Sequence, residues 1–480
     1  MKKTILIIAA LAIVFSGCKK FLDVKSKTDV VENDLFSTEA GFRDAMAGIY
    51  YTMTDNKLYG DKLTMGLVDV LARRYEIYSY NNGMYYSDAY GTSSYYKDEK
   101  IKTMTTDIWS KMYNAVANTN SLLKNIDARR DVFSGNNYNL IKGEALGVRA
   151  FMQFDLLRMF GPSYLAGADK PSIPYVTRFN AKEVVPLYTV KAVCDSVIKD
   201  LNDAVVLLRG DDLKSQSVDN PWLNNRKSHF NYLAVEATLA RVYLYKGDKP
   251  NALLHAKNVI NAKKLTLITQ NYLQTYPTDF TFTPEQIFAL NKVDLGSTTQ
   301  VVDYFESPYA GKFLGIESGR LWGYEGALER IYQTYTIGAT DIRYNSIWLT
   351  YNDNFIAFAK YRQGSPVEFT KKLVPLIRLP EMYYIAAECS TSNTEATDFL
   401  NVVRKSRAIE SLSAGLSNDD LQTEIFKEYQ KEFYGEGQLF YYYKRLNMPE
   451  MWDTNQFDKV STIGMYVFPL PDDEILNGNR

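Results

Sequence analysis

The stretch 229–263 constrains the fold more than any other part of the chain. Leu233, Ala237, Ala240 and Leu244 recur at three- and four-residue intervals, the spacing of one face of a helix. Gly247-Asp248 interrupts that pattern. Asp248 is placed to cap a second helix, and Pro250 falls in that helix's first turn. Ala252, Ala256 and Val259 carry the second apolar face, and the small alanines let the two helices approach closely.

This helix–turn–helix resembles a tetratricopeptide unit. A second candidate pair is Leu376–Cys389 with Glu395–Arg407, joined by Ser390-Thr391-Ser392-Asn393. Further amphipathic helices are expected from Thr38 to Met53 (Phe42, Ala45, Ile49 and Met53 on one face), from near Thr105 onward, and from Val190 to Leu208. In the second of these, Ile108, Met112, Ala115, Val116 and Leu123 form the stripe, and Trp109 reads as core. The segment Tyr138 to Phe160 is apolar on two sides, so it should lie buried between neighbours. Glu144, Arg149, Asp155 and Arg158 interrupt it; charges there read as structural pairs or helix-end caps.

Two stretches break the helical pattern. Residues 75–96 hold eight tyrosines (Tyr75, Tyr78, Tyr80, Tyr85, Tyr86, Tyr90, Tyr95 and Tyr96) among Asn, Gly, Ser and Asp, and read as a long loop or ragged hairpin. Between about Leu265 and Val374 Gly, Pro, Thr and Asn punctuate scattered aromatics such as Trp322, Tyr324 and Trp348. Such an insertion is uncommon in a helical protein unless it has a function. The chain has 37 tyrosines against five tryptophans. Tyrosine offers a flat apolar face with a polar tip, which suits stacking on a polar, ring-bearing ligand as well as packing between helices.

The N-terminus predicts a different kind of event. Lys2-Lys3 is followed by an apolar run from Ile5 to Phe15 and then Ser16-Gly17-Cys18. That order is the mark of a bacterial lipoprotein signal (1–17), with Cys18 freed for acylation and 18–33 as a lipidated tether. The alternative is an ordinary secretory signal with a chance cysteine. No other apolar run is long enough to span a bilayer. The net charge of −1, and a more acidic remainder once Lys2 and Lys3 are removed, argue against a nucleic-acid partner. Cys194 and Cys389 are far apart in sequence and read as two buried thiols, with a disulfide between them left open. The only histidines are His229 and His255. No phosphate loop, nucleophile elbow, zinc or calcium spacing is present, so no catalytic residue, metal ligand or cofactor is assigned and the chain is not read as an enzyme.

Several segments together resemble the SusD/RagB family of outer-membrane nutrient-binding lipoproteins. In order they are Cys18-Lys19-Lys20-Phe21-Leu22-Asp23-Val24; Gly143-Glu144-Ala145 with Arg149-Ala150-Phe151 and Asp155-Leu156-Leu157-Arg158; Ile173-Pro174-Tyr175; Asp200-Leu201; Arg241-Val242-Tyr243-Leu244-Tyr245; Ile377-Arg378-Leu379-Pro380-Glu381-Met382; Asn401-Val402-Val403-Arg404; Glu432 with Gly435-Glu436-Gly437; and Phe468-Pro469-Leu470-Pro471. Two departures stand out. Leu439 and Tyr442 replace the arginine and aspartate usual after Gly437, and Pro380 sits where a helix-friendly residue is common.

The resemblance implies an all-α fold, a tetratricopeptide-like helix-pair superhelix with a loop-rich ligand-binding insertion. Residues 34–480 would form one body, with helical repeats at about 105–264 and 375–445 and the insertion at about 265–374. It also implies a non-enzymatic role: a cell-surface lipoprotein of the outer membrane that captures oligosaccharide, or in some members peptide, and delivers it to a TonB-dependent, SusC-like β-barrel transporter. Alternatives from other classes are a lipoprotein scaffold that binds only proteins, and a hydrolase. For the ligand surface, Tyr85, Tyr86, Tyr95 and Tyr96 together with Trp322 and Tyr324 are expected to form one aromatic platform. Helix-pair proteins commonly gather loops on one face.

Overall fold

The structure, a computed structural model, describes residues 32–75, 98–179, 184–295, 304, 315–317, 326–351, 355–362, 372–454 and 458–478. Helix dominates, and the strands are few and short. Helix α1 (Glu39–Met53) opens on Thr38, whose hydroxyl accepts the Gly41 amide, and buries Phe42, Met46, Ile49 and Met53. Helix α2 (Glu99–Ile126) begins six residues before Thr105, because the Asp98 carboxylate caps the Lys100 and Ile101 amides. Helix α3 (Asn137–Phe160) is buried on nearly every side. It comes close enough to Phe230 that a Cβ on Gly147 would stand 2.4 Å from the ring. Helix α4 (Val190–Leu207) is capped by Thr189. The pair α5 (Tyr232–Lys246) and α6 (Lys249–Asn261) forms as its sequence predicts. Gly247 ends α5 at φ +77°, the Asp248 carboxylate accepts the Asn251 amide, and Pro250 lies in the first turn of α6.

After α6 the chain enters the insertion through β1 (Gln286–Asn291). The insertion contains β2 (Gly315–Glu317), α7 (Ala327–Tyr332), α8 (Ile342–Ile347), β3 (Trp348–Tyr351) and β4 (Phe355–Phe358). The strands β2, β4 and β3 form a small antiparallel sheet in that order, so this region holds more regular structure than its punctuation suggests. The chain returns through β5 (Leu373–Arg378), antiparallel to β1 with Gln286 opposite Arg378 and Asn291 opposite Leu373. Leu376–Arg378 therefore belongs to a strand and does not begin a helix. The helix α9 (Leu379–Cys389) starts only after Arg378, with Pro380 in its first turn, where a missing amide costs nothing. Then come α10 (Asn393–Ser406), α11 (Asn418–Glu432), α12 (Gln438–Arg445), the hairpin β6 (Glu450–Asp453) and β7 (Asp458–Ser461), and α13 (Asp472–Asn477). Leu439 and Tyr442 are buried in α12.

The helices stack in succession. Contacts run from α1 to α2, α3, α4, α5 and α6, then to α9, α10 and α11, a tetratricopeptide-like superhelix that skips over the insertion. One hydrophobic cluster extends from Phe36 to Phe468, and Trp109 belongs to it. The charges on α3 are all partnered. Asp155 and Arg158 pair with each other, and Arg149 makes a two-pronged bond to Asp200 at 2.8 Å on both sides. Glu144 accepts from Arg226, Trp222 and Tyr50 and lies 3.2 Å from His229 Nδ1.

A larger ionic network lies where the insertion meets the stack. Arg378, at the end of β5, reaches Glu432 at 2.7 Å, Glu436 at 2.6 Å and Glu285 at 3.1 Å. Arg407 bonds the same Glu285 and Glu432 at 2.7 and 2.8 Å. Arg343 bonds Asp341, Glu428 and Glu432 at 2.7, 2.9 and 2.9 Å, and Arg404 reaches Glu428 at 3.0 Å. Lys360 pairs with Glu436. Burial pulls the Lys360 ammonium down to about 8 against the attraction of Glu436. Desolvation of this kind is offset only when every charge keeps its partners.

The network sets the acid limit of the fold. Burial disfavours the charged carboxylates, yet Arg343 and Lys431 around Glu428, and Arg226 and His229 around Glu144, outweigh it and hold both at about 2. Glu432 is likewise held well below its ordinary range by Arg407, Arg378 and Arg343. Folded values below the unfolded ones mean that this stability is complete above the ordinary carboxylate value of 4.5 and is lost as pH falls toward 2. Each of Glu144 and Glu428 contributes on the order of 3 kcal/mol. Urea unfolding followed by circular dichroism is expected to give a midpoint that is level between about pH 5 and 7 and drops steeply below about 4.5. A level midpoint down to about pH 3 would contradict this assignment.

Candidate ligand-binding face

Cys18, Tyr85, Tyr86, Tyr95, Tyr96, Trp322 and Tyr324 all lie outside the described residues. The structure describes the frame from which the first aromatic-rich segment departs and to which the second returns.

The first segment leaves after Tyr75, and its root is clamped. The buried Asp69 carboxylate accepts four hydrogen bonds: from Arg74 at 2.9 Å, the Tyr75 hydroxyl at 2.5 Å, and the Gly435 and Gly437 amides at 2.9 and 3.0 Å. Both glycines have positive φ, +71° and +68°, which lets the two amides converge on one carboxylate. Arg74 also donates to the Gln430 and Phe433 carbonyls at the end of α11. Its guanidinium lies 3.9 Å from the centre of the Tyr434 ring. Arg73 pairs with Asp453 on β6. Tyr75, the first tyrosine of the rich stretch, is thus core and not ligand surface.

The second segment returns into α7, whose last residue is Tyr332. Tyr332 stacks on Tyr434 at 6.5 Å between centroids, donates its hydroxyl to the Lys431 carbonyl at 2.9 Å, and lies 3.3 Å from Trp348 Nε1. Tyr75 meets Tyr434 edge-on at 5.7 Å, Trp348 does so at 4.9 Å, and Phe358 packs at 5.7 Å. Tyr304, from the same insertion, approaches Asp61 and Lys62 with its hydroxyl at 3.4 and 3.5 Å. The roots of two segments more than 200 positions apart therefore meet on one side chain, Tyr434.

Tyr434 and Asp69 escaped the sequence reading. The Gly435-Glu436-Gly437 motif marks the turn, but nothing local reveals the carboxylate it wraps. Trp452 on β6 is a further half-buried aromatic beside this frame, with the Arg330 guanidinium 4.9 Å over its ring.

Among the described residues no His, Cys, Asp and Glu side chains gather as a metal site. His255 Nδ1 lies 2.7 Å from Glu236. Cys194 and Cys389 are free and buried, and burial pushes both thiols up to about 12, which leaves them poor nucleophiles. No described helix is long and apolar enough to cross a membrane.

A stacked-helix body thus carries a clamped frame at the roots of two aromatic-rich segments. Comparison with known proteins gives the family. Residues 20–244 match a family model described as starch-binding and associating with the outer membrane, and residues 323–477 match the model of the SusD family. The chain belongs to the SusD family. The SusD-like protein P2 of Formosa agariphila is 23% identical over the whole chain and 98% of its own length. A SusD superfamily protein of Bacteroides thetaiotaomicron has the same fold, with a TM-score of 0.68 at 21% identity over 92% of this chain and 98% of that one. So does a SusD-like carbohydrate binding protein of Bacteroides vulgatus, with a TM-score of 0.69 at 18% identity over 92% and 97%.

Among the described residues the buried Tyr434 hydroxyl has no hydrogen-bond partner, so its side chain supports the frame through its ring. Tyr434→Phe is expected to leave stability within about 0.5 kcal/mol or raise it, because an unmade hydrogen bond is removed. Tyr434→Ala should cost about 3–5 kcal/mol. Thermal unfolding of both variants checks this; a loss in the phenylalanine variant comparable to that in the alanine variant would overturn it.

Proposed function

We propose that this protein is a lipid-anchored, nutrient-binding protein of the outer membrane. It captures an oligosaccharide at the cell surface and passes it to a TonB-dependent, SusC-like β-barrel transporter. The observation that carries the reading is the convergence of the roots of 76–97 and 318–325 on Tyr434. It supports one ligand platform built from Tyr85, Tyr86, Tyr95, Tyr96, Trp322 and Tyr324. The carbohydrate binding named for the Bacteroides vulgatus relative, and the starch-binding description of the matched family model, favour a glycan as ligand.

The chemistry fits the residue types. A sugar ring has an apolar C–H face that lies against an aromatic plane, and hydroxyls that need donors and acceptors nearby. Tyrosine supplies the plane at little cost in side-chain entropy, and the Asn, Asp and Ser residues interleaved in 75–96 supply the polar partners.

Trp322→Ala and the paired change Tyr95→Ala/Tyr96→Ala are expected to weaken binding of a glycan identified on an oligosaccharide array by about tenfold each, from the loss of stacked apolar area. The melting temperature should not move. Unaltered affinity in both variants would remove these residues from the site, and a fall in melting temperature with only indirect weakening would mark Trp322 as packing.

The anchor is tested separately. Cys18→Ala is expected to shift the protein from the washed membrane fraction to the soluble fraction. Retention on the membrane would place the anchor elsewhere.

A further inference from the structure

A second cavity lies away from the Tyr434 frame. Residues 171–173 pair antiparallel with 188–189: Pro171 is bridged to Thr189, the Ser172 amide donates to the Tyr188 carbonyl at 2.8 Å and the Tyr188 amide to the Ile173 carbonyl at 2.9 Å. The outgoing arm of this run lies along α2. Tyr113 donates its hydroxyl to the Pro174 carbonyl at 2.8 Å, and the Asn120 amide donates to Val176 at 3.0 Å. Between this run, α2 and α13 is an open cleft of about 570 Å³, within the usual size range of small-molecule sites.

Its walls and rim have separate chemistry. Tyr113 and Tyr188, both half-buried, present aromatic surface, and Trp109 backs them. Trp109 is only 3% exposed and is held by ring contacts to Tyr113 at 4.7 Å and Phe160 at 4.9 Å. At the rim stand Arg178, Asp473 and Asn477, all exposed. Among the described residues none of the three has a hydrogen-bond or ion-pair partner, although Arg178 and Asp473 carry opposite charge and line the same cleft. The cleft thus offers spare donors and acceptors beside aromatic walls. With Glu474 also in the lining, an anion would meet two carboxylates and a cation would meet the Arg178 guanidinium, so a charged ligand of either sign faces an opposing group. A neutral polyol uses both, since each hydroxyl donates to a carboxylate and accepts from a guanidinium.

We propose that this cleft is a second carbohydrate subsite, sized for one or two neutral sugar rings, whose lining shares no residue with the Tyr434 frame. It rests on the carbohydrate reading above. None of the aromatic residues around Tyr434 lines it.

Isothermal titration of the full-length protein in detergent with maltotriose, laminaritriose, xylotriose and mannotriose tests both readings. At least one of these short sugars is expected to bind with a stoichiometry of two. Arg178→Ala/Asp473→Ala should reduce that to one without moving the melting temperature, because among the described residues neither side chain has a partner to lose. Trp322→Ala should weaken the other site and leave the cleft intact. A stoichiometry of one that Trp322→Ala removes and Arg178→Ala/Asp473→Ala does not touch would overturn the cleft and leave the platform standing. No binding of any of the four sugars would overturn the carbohydrate reading and this proposal together.

Discussion

The buried ion network around Glu432 is the interaction on which the rest of the architecture depends. It joins the last residue of the returning strand, Arg378, to the residue just before the outgoing strand, Glu285, and fastens both to α11 and the end of α10. Charges without solvent tolerate almost no misplacement, because loss of one partner leaves another ion stranded. A hydrophobic interface of the same size would hold the insertion equally well but would allow it to slide.

That fixed position matters because the insertion contributes half of the frame at Tyr434. Trp348 and Tyr332 approach from the insertion, while Tyr75 and Arg74 approach from the N-terminal part of the chain. Asp69 completes the joint by accepting amides from the turn that follows α11. The helical stack, the insertion and the N-terminal turns meet within one residue's reach. Aromatic rings give this junction broad, stiff contact surfaces, and the charge-assisted bonds of Asp69 and Arg74 hold them in register.

Much of the helical body was legible in the sequence because it follows local rules. Alanine spacing, Gly247, Asp248 and Pro250 define the α5–α6 pair within some thirty residues, and each does in the structure what its position implies. The strand β5 was missed for an equally local reason. Leu373-Val374-Pro375-Leu376-Ile377 is a short apolar run that periodicity cannot assign, and its partner β1 lies more than 80 positions earlier. The ion network was invisible because its members are distant, with Arg407 and Glu285 separated by 122 positions and Arg378 and Glu432 by 54. The two aromatic-rich segments stood out in the sequence by composition, but the anchor shared by their roots did not, since Tyr434 is one tyrosine among 37.

The antiparallel neck formed by β1 and β5 has a consequence for how such a protein diversifies. The chain departs and returns side by side, so what lies between can change in length or composition without moving the helices. Doubling the length of a flexible loop costs only about 0.6 kcal/mol in closure entropy. Descendants of such a chain can therefore rewrite the span beyond the neck while the inherited scaffold continues to fold as before.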